Sequence, residues 1–266
     1  MKYYPIIAFV LLAFVQACGS ETNTEPLTDE VQTLEEVIDT AIVEPLVEEK
    51  IVINDHLQAI LDKSDTTYQL PINVDTNFVN AIDFEQKSIQ TSLSFENGRY
   101  LGARLLENAP TGNATYNIEV FCKIDSLKSE GEYEDYVNNL DIGMMQVAEA
   151  FVEGLIEIDS SKLILLWSIT FSTYEACPYA SGSLVFGTLL HNYEVQNTML
   201  LAEVSGGGDP PSWGETRIST SISKTLEMKT NSINQYGDSD EGEVETIAES
   251  YLTEIGVEAF EYGMDY

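Results

Sequence analysis

The side chains best suited to nucleophilic or metal chemistry are few in this sequence: Cys18, Cys122, Cys177, His56 and His191. A cysteine nucleophile needs a base to hold its thiolate, and that base is usually a histidine oriented by a third group. Cys177 lies in "STYEACPYASG", and neither histidine sits in a protease-like context, so no catalytic residue is assigned. Zinc fares no better, because the chain has no C-x-x-C or H-x-x-x-H spacing from which to build a tetrahedral site. With Cys18 set aside, Cys122 and Cys177 form an even pair. In an oxidising compartment a bond between them would close a loop of about 55 residues and contribute roughly 4 kcal/mol. The alternative is two buried, inert thiols.

Two loops invite ligand readings. "SGGGDPPSWGE", Ser205 to Glu215, has the glycines of a phosphate cradle but no Lys and no helix start, so phosphate binding fails there. It could instead present Trp213 for stacking on a sugar or another flat ligand. "YGDSDEGEVE", Tyr236 to Glu245, resembles a calcium loop only loosely. Gly242 stands where an EF-hand needs an acid and Glu243 where it needs glycine. A weaker oxygen site from Asp238, Asp240, Glu241 and Glu243 is the remaining calcium expectation, beside a simply solvated acidic turn. A glycosidase-type carboxylate pair is easy to imagine among 45 acids and for that reason carries little information.

The elements that must position these residues are mainly strands. Turn signals recur about every ten residues, the rhythm of an antiparallel β protein. Leu163 to Phe171 is apolar on both faces and is expected as a central strand, paired in a hairpin with Leu155 to Ile158. Leu184 to Leu190 and Thr198 to Val204 flank "HNYEVQ" as a second hairpin, and Ile218, Thr220 and Ile222 alternate as a strand with one wet face. Ser92 to Phe95 before Asn97-Gly98, Tyr100 to Leu106, and Tyr116 to Ile124 also read as strands, with Cys122 pointing inward. Asn54 or Asp55 should cap a short helix carrying Leu57, Ile60 and Leu61. Residues 144–157 and 244–259 carry apolar residues at helical spacing but lie where a hairpin partner is expected, so helix and strand both stand for them. The expected fold is thus a mainly β, antiparallel or sandwich-like domain over residues 55–266, with one to three short helices.

Composition bounds the partners. Twelve Lys and Arg against 45 Asp and Glu give −33 and a pI near 4.1. Affinity for nucleic acid rests on cationic neutralisation of phosphates, so this chain is not expected to bind it. Apolar residues at 44% supply a core.

The first residues speak to address. One cation, Lys2, precedes an apolar run from Ile6 to Val15, which falls short of the roughly 20 residues a spanning helix needs. The junction Val15-Gln16-Ala17-Cys18 resembles the lipobox of bacterial lipoproteins. That resemblance implies a signal peptide over residues 1–17, lipid on Cys18, and Cys18 as the mature N-terminus. Gly19 in place of Asp points by the same resemblance to the outer membrane. Residues 18–54 read as an acidic tether, with ten acids and one Lys between Gly19 and Lys50. The functional expectation is an envelope or cell-surface protein, non-enzymatic, that binds a protein or glycan ligand or serves structurally. The competing expectation is a surface hydrolase, for instance glycan-directed, that uses loop carboxylates. Radiolabelled palmitate should enter the wild-type chain and vanish in Cys18→Ala; label persisting in the variant would overturn the anchor.

Overall fold

The structure is a computed structural model and describes residues 53–82, 90–106, 114–174, 179–240 and 242–254. All belong to one compact unit, Glu49–Tyr266. The fold is mainly β, as expected. Strands β3 (Met145–Glu157), β4 (Lys162–Thr173), β5 (Tyr179–His191), β6 (Glu194–Gly208), β7 (Ser212–Ile222), β8 (Glu227–Asp238) and β9 (Val244–Glu254) run as an antiparallel meander. Short β1 (Thr67–Tyr68) adds to β3 in parallel, and β2 (Ile72–Val74) pairs with the far half of β7. Helices α1 (Asp55–Leu61), α2 (Thr76–Ala81), α3 (Phe95–Gly102), α4 (Ala114–Glu130) and α5 (Tyr133–Asn138) lie in the first half of the unit.

The sheet is buried on both sides. Leu165, Trp167, Ile169, Leu184 and Phe186 face a core shared with α1, α3 and α4, while Ile164, Leu166, Val185 and Leu201 face a second core that includes Val79 of α2 and Val74 of β2. This double burial is why β4 reads as a continuous apolar run. It also settles residues 144–157: β3 is buried along most of its length, so the polar beat that marks a half-exposed strand is missing from its sequence. Residues 244–254 are strand too, an edge strand paired with β8 and wet over most of its length, and its acids protect the edge from further pairing.

Of three expected strands, Tyr116 to Ile124 is wholly helical, while α3 takes Phe95 from the first and residues 100–102 from the second, leaving Ser92 an isolated bridge to Phe151. Ser94 caps α3, and its backbone amide donates to Asn97 Oδ1, so Asn97-Gly98 belongs to a helix's first turns and not to a hairpin. Gly98 is there for close packing: a Cβ would come within 2.6 Å of the Phe121 ring on α4. Tyr100 falls inside the same helix, and Leu105 makes only an isolated bridge to Thr198. Tyr116 to Ile124 lies within the 17-residue α4. Its period-two alternation was genuine but incomplete, because Phe121, a wet position on the strand reading, is buried with Ile118 and Cys122 on a helical face. Asn54 does cap α1, accepting the His56 amide.

One hydrogen-bond relay crosses the helix-side core. Trp167 Nε1 donates to Thr188 Oγ1 at 3.0 Å, Thr188 and Thr198 join hydroxyl to hydroxyl at 2.7 Å, and Thr198 donates to the Leu101 carbonyl at 2.5 Å. Four elements are tied by it: β4, β5, β6 and α3. Trp167 also stacks on Phe186 with centroids 4.4 Å apart. Removing one member of a buried relay strands its neighbours, at about 1–3 kcal/mol. Thr198→Val should therefore lower Tm by roughly 2–12 °C for a domain of this size. Thr198→Ser keeps the hydroxyl and should lose less; equal losses in thermal melts would show that the hydroxyl does not matter.

Candidate functional site

Strands β5, β6 and β7 converge at Gly206–Gly208, and the chain turns between β6 and β7 through Asp209–Pro211 alone, where the Ser212 amide donates to the Asp209 carbonyl at 2.9 Å. The eleven-residue loop expected at Ser205 to Glu215 is thus a hairpin whose glycines are strand residues. A side chain at Gly207 would collide with the Tyr179 carbonyl and Ala180 backbone of β5, so the backbones can approach this closely only without one. The result is a bare backbone arch with a cleft on each face.

Alternation sorts the side chains. Ser205 pairs with Thr216 and Glu203 with Ile218, so Glu203, Ser205 and Thr216 face the helix side. Trp213, Glu215 and Arg217 face the other side, with Tyr179 and Ser181. Two reciprocal pairs hold the aromatics. Trp213 lies over Gly237, where a Cβ would sit 2.6 Å from the indole, and Tyr236 packs on Gly214. An aromatic ring laid across a glycine shields the exposed backbone and pins the register.

The outer groove, about 600 Å³, is lined by Trp213 (37% exposed), Tyr179 (47% exposed), Ser181, Ser239 and Glu215 over a floor of Gly206 and Gly208. The Tyr179 and Ser181 hydroxyls are 3.0 Å apart, and Arg217 grips Glu215 Oε1 from two nitrogens at 2.8 and 2.6 Å. The expected stacking residue Trp213 therefore has a second aromatic on its own face.

The helix-side cleft, about 420 Å³, lies between the start of α4 and the arch, rimmed by Tyr116 and Tyr236. Glu203 lies at its base, 5% exposed. Its Oε1 accepts from Ser205 Oγ at 2.5 Å, and its buried Oε2 has no partner. Burial pushes this carboxyl above its ordinary 4.5, partly opposed by the Ser205 hydrogen bond. No sequence motif marked Glu203. The signal present was an acid inside the apolar run "TMLLAEVS".

The remaining expected site residues fall elsewhere. Cys122 is a free, buried thiol on α4 whose Sγ donates to the Phe95 carbonyl at 3.4 Å. It lines a separate cavity of about 560 Å³ between α3 and α4, with Arg99 and Lys123. Burial, opposed by Arg99, pushes the thiol up to about 11, far from a nucleophile's range. Cys177 and Cys18 lie outside the described residues. In the acidic turn, Asp238 Oδ1 accepts the Asp240 amide at 2.8 Å and the Gly242 amide donates to the Asp238 carbonyl. Glu241 lies outside the described residues, and Glu243 follows in the connection to β9. Among the described residues no three His, Cys, Asp or Glu stand together as a metal site, and no helix is long and apolar enough to cross a membrane.

No family model matches this chain, and neither does any curated protein or any solved structure.

The elevated Glu203 carboxyl has a consequence for stability. The folded state holds this proton more tightly than the unfolded chain, so stability is full below about pH 4.5 and falls as pH rises through the folded-state value. Glu203→Gln should raise Tm relative to wild type at about pH 7 and leave it unchanged at about pH 4. A gain independent of pH in circular-dichroism melts would assign the effect to packing instead.

Proposed function

We propose that this chain is an exported lipoprotein, anchored to the bacterial envelope through Cys18, whose β domain binds a glycan and does not transform it. The observation that carries the reading is the pair of part-exposed aromatics, Trp213 and Tyr179, on one face of a groove floored by backbone. Aromatic rings with a polar handle offer a flat apolar face to a ligand and a hydrogen bond at its edge. The hydroxyls of Ser181 and Ser239 and the Glu215–Arg217 pair supply polar partners around them. A saccharide ring, with an apolar C–H face and hydroxyls at its rim, fits that combination. The acidic tether over residues 18–54 would carry the domain away from the bilayer.

The hydrolase alternative is less well supported, because glycoside cleavage needs two carboxyl groups flanking one bond. The acids among the described lining residues of the helix-side cleft are Glu203 and Glu215, and strand alternation directs their side chains to opposite faces. The negative charge of the chain also argues for a neutral or cationic ligand over nucleic acid.

A glycan array probed with the detergent-solubilised mature protein tests the reading. Saccharide binding should quench Trp213 fluorescence, fall about tenfold or more in Trp213→Ala, and survive in Trp213→Phe. An array without binders, or binding indifferent to Trp213→Ala, would refute the groove as the site.

A further inference from the structure

The helix-side cleft differs from the outer groove in its hydrogen-bond inventory. Ser205 spends its hydroxyl proton on Glu203 Oε1, and Thr216 spends its own on Asn234 Oδ1 at 2.9 Å. What these two hydroxyls still offer is lone pairs. Glu203 Oε2 adds a buried carboxyl oxygen without a partner, and a carboxyl stranded in this way gains most from a cationic donor. None of the described residues lining the cleft is Lys, Arg or His, so among the described residues there is no counter-ion for Glu203 there. Tyr236, 49% exposed, and Tyr116 stand at the rim, where ring faces attract a cation that has shed water. The field of a chain carrying −33 concentrates cations around it.

We propose that the cleft between the start of α4 and the glycine arch binds a small organic primary ammonium ion, its N–H groups on Glu203, Ser205 and Thr216 and its alkyl portion between Tyr116 and Tyr236. This site is on the opposite face of the sheet from the Trp213 groove and stands or falls without it. A primary ammonium is the ligand selected because it brings up to three donors to an acceptor-rich floor. An alcohol of equal length brings one donor and no charge. The upward push of burial on Glu203 fits the same picture, since a bound cation offsets the desolvation that disfavours its ionised form.

The test uses the full mature chain in detergent, titrated with n-butylammonium chloride at constant ionic strength and followed by calorimetry. Binding should be saturable and one-to-one in the millimolar range or tighter, with n-butanol at least about tenfold weaker. Glu203→Gln should weaken butylammonium about tenfold or more while leaving butanol unchanged. Tyr236→Ala should weaken it by a smaller factor. Glu194→Gln, an exposed acid at the far end of β6 from the arch, should have no effect and so controls for diffuse attraction to the acidic surface. Non-saturable binding, equal binding of butanol, or equal losses in Glu203→Gln and Glu194→Gln would overturn the proposal. Because Glu203→Gln is expected to fold at least as well as wild type, its failure to bind would not be a failure to fold. Loss of glycan binding in Trp213→Ala with butylammonium binding intact would show that the two sites are independent.

Discussion

Thr198 is the residue through which β6, β5 and the segment around the end of α3 are tied together. Its backbone amide donates to the Arg104 carbonyl, its carbonyl accepts the Leu106 amide, and its hydroxyl donates to the Leu101 carbonyl while meeting Thr188. The need for it arises from the sheet. β7 pairs with β6 only over Glu203 to Gly207 and then leaves to pair with β2, so the earlier half of β6 would face solvent as an open edge. The segment after α3 covers that edge, and the Trp167–Thr188–Thr198 relay secures it from beneath. α3 then presents Gly98 to Phe121, which seats α4 on the sheet. The start of α4, where Tyr116 lies, is one wall of the helix-side cleft.

The parting of β6 from β7 also explains why the arch is made of glycine. The two strands remain paired only at their turn end, where β5 crowds them from the other side, and side chains at Gly207 or Gly208 would run into neighbouring backbone. Stripping side chains from the middle of a sheet normally weakens it, since glycine contributes no packing. Here the loss is offset by Trp213 over Gly237 and Tyr236 over Gly214, which put two aromatics on opposite faces of one β-hairpin. The same geometry that compensates for missing side chains equips both clefts. The two proposed ligand sites are the two sides of one structural solution.

Charge links this architecture to the proposed address. A chain with 45 acids against 12 bases resists phosphate-rich partners and favours cations or neutral ligands. Among the described acids two are buried, Glu153 and Glu203, and Glu203 is the one that lines a cleft. Glu203 is taken out of water, tied to Ser205 by one oxygen and left with the other unpartnered, at a cost to stability that a purely structural residue would not need.

Much was legible in the sequence where burial is all or nothing. Leu163 to Phe171, apolar on both faces, could only be a central strand, and the alternation at Ile218 to Ile222 fixed which side of β7 is wet. Asn54 ahead of Leu57 and Ile60 announced α1, because capping is a local interaction. Patterns shared by two structures were not legible. Tyr116 to Ile124 alternates like a strand and also carries a helical stripe, and the choice was made by the groove that Gly98 opens for Phe121. Residues 144–157 lost their polar beat because both faces are covered, which no short window can report. The site divided along the same line. Trp213 could be named from its loop, whereas Glu203 could not, because an acid in an apolar run acquires its chemistry from what surrounds it. Sequence alone determined the strand rhythm, the charge and the lipobox-like start, all of which are local or additive properties. Tertiary structure decided which face each side chain occupies and which carboxyl is dry, since register and desolvation exist only once distant strands have met.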